Sequence, residues 1–593
     1  MFGELDGLVR EKIDLSQKNP EVSKVMPLGD AIHLLVRPGM HLHLAQAYLR
    51  PSAAIYELCR RFWNTDPGFT FSSLGFIANM VLLVYGGLAR KIITSFAGDS
   101  YPFPGPNRIY QEAYRDGRLE IENWTVLTLP LRLMAGALGV DWMPTFSITG
   151  SSMEEENKDN FMTVETPDGG RLGMVRALHP DVTFVHAWAA DPAGNVLLAP
   201  PYAESIYSLF AAREGVVVTT EKVVDTEFLK GYSHFVKVPS YLVKAVCPAP
   251  MGVHPSGAAN EGIKCFESYA EDEEFMLELR QACKDDAAIQ AWVEEWCLSL
   301  PDHDAYLAKL GFPKIWYLKG RAATDSWWSE MASRAPQIRK SADFNSNEMM
   351  VVAASRLLRE RIKDRGYKTI LAGIGASNLA AWQAWYDLRR EEYAAELISE
   401  VGFYGYTPRP ADPFIFSFRN IPTCTMLTDV ISVLGSMVGA ENNRCIGALG
   451  AGQVDRFGNL NSTVIPEFKL FLVGSGGACD VALGAQELVV VCTQSTLRCV
   501  DRVSYMTAPG HKVSALVTNM GVFQKLNGSD EFTLTGLLPA PDTADAGELL
   551  ERLRANCGWE LQVTPGLQVE PAPTLEELLN IRIFDPRRYF LED

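Results

Sequence analysis

The sequence predicts an α/β protein built from two tandem, related α/β domains with mainly parallel sheets. Three observations support this prediction. The 593 residues exceed what a single hydrophobic core usually holds. A strand-and-turn motif occurs twice in the chain, and the second half alternates strand-like with helix-like segments.

The repeated motif is an apolar run followed by a turn. DVTFVHAWAADPAGN (181–195) and RCIGALGAGQVDRFGN (444–459) both end in Asp, two further residues, Gly and Asn. The offset is 264 residues for each of these three positions. Gly and Asn accept the left-handed backbone of a tight turn. We interpret the pair as a duplicated α/β unit.

A loss of hydrophobic periodicity across 320–347 marks the boundary between the two copies. It predicts a first domain over 1–325, a linker over 326–346 and a second domain over 347–593.

Beyond the linker, the segments alternate in character. Asn347 is expected to cap a helix that ends at Gly366, and YKTILAG (367–373) is strand-like. A turn from Gly373 to Asn378 then leads into the helix LAAWQAWYDLRREEY (379–393). This order is typical of a mainly parallel sheet.

Composition excludes some classes of protein. The net charge of −18 argues against a nucleic-acid partner or an anionic membrane surface. The most apolar stretch, 74–88, is too short to span a bilayer and is expected to form a buried helix. The N-terminal residues lack the apolar core of a signal peptide, and the 11 cysteines include no CxxC pair. We therefore expect a cytoplasmic protein.

Two further patterns favour structural roles. His41 and His43 share one face of a strand, a spacing that can bind metal, but no third ligand is evident. A packed or hydrogen-bonded pair is therefore expected, and no metal site. Trp382, Trp385 and Tyr386 have helical spacing and are expected to pack in the core.

Nine segments, in order along both halves, are similar to one family. In the first half they are 24–42, 179–195, 249–257 and 301–311, and in the second half 371–381, 396–403, 450–468, 473–480 and 502–510. Together they resemble the class I coenzyme A-transferases, most closely the glutaconate CoA-transferase type with its α and β subunits fused in one chain. The resemblance implies the family I CoA-transferase fold in both domains, with the catalytic glutamate in the second.

This resemblance implies a ping-pong exchange of coenzyme A through a glutamyl-CoA thioester. The nucleophilic glutamate falls at Glu400, which follows the strand-like ELIS and precedes Val401 and Gly402. A glutamate at such a strand end is usually a solvated surface acid. As a nucleophile it would need no general base, because a carboxyl with the ordinary pKa of about 4.3 is ionised at neutral pH. It would need a rigid support and partial desolvation.

The resemblance also suggests where the substrate binds. The backbone N–H groups of Gly373, Gly375 and Gly402 are candidates for stabilising the tetrahedral oxyanion, although such turns are often only structural. Asn378 could add a side-chain donor or could cap a helix. The expected CoA-binding residues, whose glycine-rich loop could also be a tight structural turn, are Gly450, Gly452, Gln453, Gly474, Ser475, Gly476, Gly477, Ala478 and Asn378.

The sequence departs from the family in the first domain. LAQAYL (44–49) replaces a glycine-rich segment, so substrate approach is expected to differ there, with Gln46 as an amide donor. A second carboxylate on the substrate would need a cation, for which Arg108 and Lys158 are candidates.

The leading hypothesis is a CoA-transferase with no permanently bound cofactor, a CoA thioester and a carboxylic acid as substrates, and a homodimeric or homotetrameric assembly. The alternative is an acyl-CoA hydrolase, a C–C bond hydrolase or a decarboxylase acting on a CoA thioester on the same fold, with Glu112 or Glu120 as its acid. A third hypothesis is a non-catalytic acyl-CoA-binding protein.

Overall fold

The computed structural model describes residues 2–12, 23–45, 49–526 and 528–592. Two large sheets dominate it, one on each side of the segment 320–347. Both are mainly parallel and carry helices on their faces, so the predicted fold class is confirmed.

The first sheet has nine strands, and its central pairs are all parallel. The central strand Val182–Ala190 is buried along its whole length, as expected for a strand covered on both faces. The nine strands are His41–Leu44, Phe69–Ser72, Ala89–Thr94, Glu120–Asn123, Val182–Ala190, Val196–Leu197, Gly215–Val223, Val236–Val238 and Val243–Pro248.

The second sheet has ten strands, with antiparallel pairs on both sides of its parallel centre and a further parallel pair at one edge. In spatial order its strands are Met426–Leu427, Phe403–Tyr404, Glu396–Ser399, Thr369–Ala372, Cys445–Leu449, Glu487–Val491, Val513–Val517, Gly521–Lys525, Phe532–Leu537 and Gln562–Val569.

Helices surround both sheets. Those of the first half and the connecting region are Phe2–Lys12, Leu28–Leu35, Ser52–Phe62, Val81–Tyr85, Arg108–Arg115, Thr128–Leu138, Ser152–Glu156, Ser205–Ala211, Thr226–Lys230, Glu273–Ala282, Asp286–Val293, His303–Leu310, Phe312–Arg321 and Trp327–Arg334. Those of the second half are Ser346–Arg365, Ala376–Arg390, Ala478–Gly484, Ala546–Ala555 and Leu575–Phe584.

In both repeated turns the Asp side chain accepts two hydrogen bonds from the Asn four residues later. Asp191 accepts the N–H groups of Gly194 and Asn195 through Oδ1, both at 2.8 Å, and the Asn195 amide through Oδ2 at 2.8 Å. Asp455 accepts the N–H of Asn459 at 2.9 Å and its amide at 3.0 Å. This shared geometry supports the interpretation of a duplicated unit.

Two local expectations were wrong in detail. The helix Ser346–Arg365 is capped by Asn345, not Asn347, because the Asn345 side chain accepts the Glu348 N–H in a capping box. The apolar stretch 74–88 holds only a 3₁₀ turn and the short helix Val81–Tyr85, since Gly75–Phe76 forms a strand instead. The segment 326–346 contains the helix Trp327–Arg334.

A continuous apolar core joins the two halves. Leu74, Trp124 and Leu127 of the first half pack in one cluster with Ile398 and Leu434 of the second. This shared core fixes the relative position of the strand ends that surround the site. Within the described residues, no helix is both long and apolar enough to cross a membrane.

Candidate active site

A cleft with a cavity volume of about 150 Å³ opens between the two halves. Both halves line it, and most of the side chains are apolar. The lining includes Arg50, Leu74, Ile77, Phe96, Tyr101, Val126, Ser256, Glu271 and Met276 from the first half and Ile374, Glu400, Val401, Phe414, Phe416 and Gly476 from the second.

Glu400 lies at the carboxyl end of the strand Glu396–Ser399, beside the end of the parallel strand Thr369–Ala372. The chain then turns sharply, and the Gly402 N–H donates to the Ser399 carbonyl at 3.1 Å. Gly402 has φ 118°, and a Cβ there would lie 2.4 Å from the Thr428 carbonyl oxygen. Only glycine suits this position. The turn therefore holds Glu400 on a rigid support at the cleft.

The Glu400 carboxylate is half-buried and, within the described residues, accepts no hydrogen bond. Its Oε2 atom lies against Gly477, where a Cβ would approach it to 2.2 Å. A glycine at 477 thus makes the room that the carboxylate occupies. A carboxylate with few hydrogen bonds in an apolar cleft is poorly stabilised and correspondingly reactive.

The electrostatics differ from the sequence expectation of an ordinary carboxyl. Burial, and then the charge of Asp480, raise the pKa of Glu400 to about 7. Burial also raises the pKa of Asp480 to about 7. Asp480 accepts hydrogen bonds from Ser147 Oγ at 2.5 Å and from the Leu127 N–H at 3.0 Å, so its position depends on the first half of the chain.

The glycine-rich loop 474–478 is docked onto the first half. The Gly476 N–H donates to the Ser95 carbonyl at 2.9 Å, and Ser475 Oγ donates to the Trp124 carbonyl at 2.7 Å. The N–H groups of Gly474 and Ala478 also donate within the protein. The loop joins the halves and places Gly477 beside Glu400, and these N–H groups are not free for a ligand in this conformation.

Two of the three candidate oxyanion donors are already engaged. The Gly373 N–H donates to the Ala448 carbonyl at 2.8 Å, in the strand ladder, and the Gly402 N–H closes the turn described above. The Gly375 N–H donates to no acceptor in the described part of the chain. It stands at the start of the helix Ala376–Arg390, directly after the cleft residue Ile374. Gly375 remains the candidate.

The other predicted CoA contacts lie away from the cleft lining. Gln453 is held by Asn461, whose amide donates to it at 2.9 Å, and its own amide donates to the Leu497 carbonyl at 3.2 Å. Gly450 and Gly452 precede Gln453, which is the first residue of the strand Gln453–Asp455. Asn378 is fully buried in its helix and donates to the Pro413 carbonyl at 2.8 Å. It is therefore neither a cap nor a free donor, and it positions the loop that carries Phe414.

Several other expectations concerned charged residues of the first half. Arg108 pairs with Glu112 at 2.9 Å and Asp286 at 2.6 Å, and Lys158 pairs with Glu155 at 2.6 Å, all outside the cleft lining. These two cations were wrong candidates for binding a distal carboxylate. The alternative acids are also outside the cleft: Glu112 is paired, and Glu120 contacts Lys91 at 2.8 Å. Gln46 lies outside the described residues.

Two cleft residues were missed. Arg50 is buried, and no sequence pattern distinguishes it. Glu271 accepts the Phe418 N–H at 2.8 Å, and burial raises its pKa to about 7. Only its position in the sequence could have indicated Glu271, because it follows the HPSG segment (254–257), whose Ser256 and Gly257 line the cleft.

The remaining patterns have structural roles. His41 and His43 both hydrogen-bond Ser72 Oγ, at 2.7 and 2.9 Å, as expected of a bonded pair. No cluster of three or more metal-ligating side chains occurs among the described residues. Trp382 and Trp385 are buried in the core of the second half.

Comparison with known proteins gives consistent results. Residues 25–248 match the family model described as coenzyme A transferase. The chain is 27% identical to the first of the two subunits of glutaconate CoA-transferase from Acidaminococcus fermentans, over 50% of this chain and 95% of that protein. It is 29% identical to the second of the two subunits of 3-oxoadipate CoA-transferase from Pseudomonas knackmussii, over 41% of this chain and 94% of that protein.

A solved structure shows the same fold across both halves. The acyl-CoA transferase of E. coli O157:H7, solved as a thioester complex with CoA, has a TM-score of 0.63 and covers 96% of this chain and 98% of its own. The sequence identity is 15%, so this likeness concerns the fold. The 593-residue chain therefore spans the equivalents of both subunits of the two-subunit relatives.

Proposed function

Because the chain belongs to the coenzyme A-transferase family, we propose that it moves CoA from an acyl-CoA to a free carboxylic acid by a ping-pong mechanism with Glu400 as the covalent nucleophile. The observation that carries this proposal is the half-buried Glu400 carboxylate, which faces the cleft between the halves and accepts no hydrogen bond within the described chain.

The first half-reaction forms a thioester on the enzyme. An oxygen of ionised Glu400 attacks the acyl-CoA carbonyl, the C–S bond breaks, and a mixed anhydride and the CoA thiolate result. The thiolate then attacks the Glu400 carbonyl carbon. This breaks the anhydride C–O bond, releases the first acid as a carboxylate and leaves a glutamyl-CoA thioester.

The second half-reaction reverses these steps with another acid. Its carboxylate attacks the glutamyl thioester and expels the CoA thiolate, which forms a second mixed anhydride. The thiolate attacks the acyl carbon of that anhydride, which yields the new acyl-CoA and regenerates the Glu400 carboxylate. No net proton transfer is required, so no general base is needed.

The residues around Glu400 have defined parts in this proposal. The apolar lining keeps the carboxylate poorly solvated, and the charge of Asp480 further disfavours its ionised form. Gly477 leaves the carboxylate space. Each acyl transfer passes through an oxyanion, for which the Gly375 N–H at a helix N-terminus is the available donor. The docked loop Gly474–Ala478 forms one wall of the site through Gly476.

CoA enters this proposal as a substrate, with no resident cofactor. We assign its remaining contacts to the second half, near Gly450, Gly452 and Gln453. The cytoplasm, where acyl-CoA esters are formed and consumed, is the proposed location, and a homodimer or homotetramer the proposed assembly. These assignments follow from the sequence resemblance.

The test is chemical trapping. The protein is incubated with an acyl-CoA in the absence of acceptor acid and then reduced with borohydride, which converts a glutamyl thioester to a primary alcohol. The proposal predicts that peptide mapping by mass spectrometry places the alcohol at Glu400. Unmodified Glu400 together with full transferase activity in Glu400→Ala would overturn it.

Glu271 supports a second candidate, hydrolysis of a CoA thioester. It is a further carboxyl in the same cleft, and its pKa of about 7 suits a general base for water. This function predicts release of CoA from a single acyl-CoA substrate with no acceptor acid, and its loss in Glu271→Gln. Dependence of CoA release on an added acid would favour the transferase instead.

A further inference from the structure

The cleft beside Glu400 contains a cavity of limited size. Its volume is about 150 Å³, and most of its surface is apolar. An apolar cavity of about this volume, lined by aliphatic and aromatic side chains, can hold one benzene ring. The cavity therefore fits a ligand with a single six-membered ring.

Four aromatic side chains line this cavity. Tyr101 is buried, whereas Phe96, Phe414 and Phe416 are half-buried. Phe414 packs edge-to-face against Tyr101, with ring centroids 5.4 Å apart, and against Phe416, with centroids 5.6 Å apart. In this geometry the positive edge of one ring meets the negative face of the next. A ligand ring in the cavity can extend the arrangement, and an aliphatic chain cannot.

The cavity suits the acyl part of the substrate better than its CoA part. Most of the lining residues belong to the first half, and Gly450, Gly452 and Gln453, to which we assign CoA contacts, are not among them. Glu400 is part of the lining. An acid whose carboxyl group meets Glu400 therefore has its carbon skeleton inside the cavity.

The charged side chains of the lining do not favour a second charge on the ligand. Arg50 interacts with the buried carboxyl of Glu204. Glu271 accepts the Phe418 N–H at 2.8 Å. A second carboxylate in a cavity of this size would lie near the carboxyls of Glu271 and Glu400, and like charges repel each other. We therefore expect the remote end of the acid to be uncharged.

We propose that the substrate acids are monocarboxylic acids that carry a single aromatic ring, and that this ring packs against Phe414 in the cavity. The carboxyl group, or its thioester, meets Glu400, and the ring makes the apolar and edge-to-face contacts that the lining offers. This inference rests on the proposed function, because it assigns the carbon skeleton of the acid whose carboxyl group reacts with Glu400.

The experiment compares acyl-CoAs that differ only in the acyl group. 3-Phenylpropanoyl-CoA and nonanoyl-CoA have the same number of acyl carbons, and the straight nonanoyl chain is the more apolar. 3-(4-Carboxyphenyl)propanoyl-CoA adds a carboxylate at the far end of the ring. The rate of thioester formation on Glu400 is measured by mass spectrometry for the wild type, for Phe414→Leu and for Phe312→Leu. Phe312 is 72% exposed and outside the cleft lining, so it provides the control.

We expect the wild type to react fastest with 3-phenylpropanoyl-CoA, although apolarity alone would favour nonanoyl-CoA. Phe414→Leu keeps an apolar side chain and loses one ring contact, so it should slow the phenylpropanoyl reaction about 2- to 10-fold. The nonanoyl reaction should not change, and Phe312→Leu should match the wild type. Equal loss with both acyl-CoAs in Phe414→Leu, or a wild type that reacts as fast with either of the other two, would overturn the proposal.

The two proposals fail in different ways. If no thioester forms on Glu400 with any of these acyl-CoAs, the transferase mechanism fails, while calorimetry with free 3-phenylpropanoate and nonanoate still tests the cavity. Tighter binding of 3-phenylpropanoate, weakened in Phe414→Leu, would then support the aromatic site. Equal binding of the two acids, or binding of 3-phenylpropanoate that is unchanged in that variant, would reject it.

Discussion

A Cβ atom on Gly477 would lie 2.2 Å from Oε2 of Glu400, closer than two nonbonded atoms can approach. The φ of Gly477 is −90°, a value that alanine also adopts, so the glycine is needed for space and not for backbone conformation. The loop Gly474–Ala478 thus leaves a gap that fits the proposed nucleophile.

Gly477→Ala should therefore displace the Glu400 carboxylate without unfolding the protein. A misplacement near 1 Å can slow a positioned reaction about 100-fold, and we expect a loss of that order in kcat/KM for acyl-CoA. Gly476→Ala is not a suitable control, because Gly476 has φ 52°. Gly320, where a Cβ meets nothing within 4 Å, provides the matched control. Full activity in Gly477→Ala would mean that Glu400 works from another position.

The pH dependence should reflect the raised pKa of Glu400. Only the ionised carboxylate attacks, so kcat/KM for acyl-CoA should rise with pH and level off above about 7. A carboxyl at its ordinary pKa would give a flat profile from pH 5.5 upward, roughly one unit above that value. Initial rates measured from pH 5.5 upward, in buffers of constant ionic strength, distinguish the raised pKa of Glu400 from the ordinary one.

The raised pKa of Glu400 should also affect stability, which should fall over the pH range in which activity rises. Between pH 4.5 and about 7 the folded protein keeps the Glu400 proton that the unfolded chain has lost. Glu400 therefore lowers the free energy of unfolding progressively as pH rises through this window, and the penalty is complete above it. Glu400→Gln should stabilise the protein above pH 7 and have little effect at pH 4.5. A stabilisation independent of pH would contradict the raised pKa.

The charge of Asp480 should account for part of the raised pKa of Glu400. Burial is the main cause of the shift and the Asp480 charge the second. Asp480→Asn keeps an acceptor for Ser147 and removes the charge, so the acid limb of the rate profile should move down by up to about one pH unit. Glu112→Gln, which removes a carboxylate outside the cleft and leaves Asp480 and its hydrogen bonds intact, is the control. An unmoved limb would show that Glu400 does not experience the Asp480 charge.

A buried ionic network should hold the two halves together beside the cleft. Arg419 of the second half contacts Asp412 at 3.0 Å and Glu273 of the first half at 3.3 Å, and it also pairs with Glu330. Arg419→Met leaves the buried Asp412 carboxyl without its cation, whereas Arg321 still pairs with Glu273 and Glu330. We expect a loss of about 3 kcal/mol in the free energy of unfolding.

The control for that measurement is Arg390→Met, which breaks an exposed pair with Glu576. Such pairs contribute at most about 1 kcal/mol. Urea unfolding of both variants makes the comparison. An equal, small effect in the two would show that the network does not hold the halves together.

Sequence reasoning reached the fold class because hydrophobic runs, turn residues and alternation are local features. The duplicated Asp-x-x-Gly-Asn turns and the strand before Glu400 are examples. The cap at Asn345 was also within reach, since Glu348 follows it three residues later in the pattern of a capping box. The neighbouring Asn347 obscured it.

The details of the site depend on residues that are distant in the sequence, so no local sequence pattern predicts them. The pKa of Glu400 depends on Asp480, which is held by Ser147 of the other half. The Gly373 N–H is engaged because the strand Cys445–Leu449 lies alongside it. Arg50 reaches the cleft wall only through the fold, and no local sequence pattern records that position.

The most direct test of the central claim follows oxygen atoms. Acceptor acid labelled with ¹⁸O in its carboxylate is incubated with the protein and an unlabelled acyl-CoA, and the Glu400 peptide is weighed by mass spectrometry. If the acid attacks a glutamyl thioester and CoA then attacks the resulting anhydride, one oxygen of the acid stays on Glu400 in each turnover. The account predicts ¹⁸O at Glu400 and at no other carboxylate. Transfer of CoA to the labelled acid with no ¹⁸O at Glu400 would contradict it.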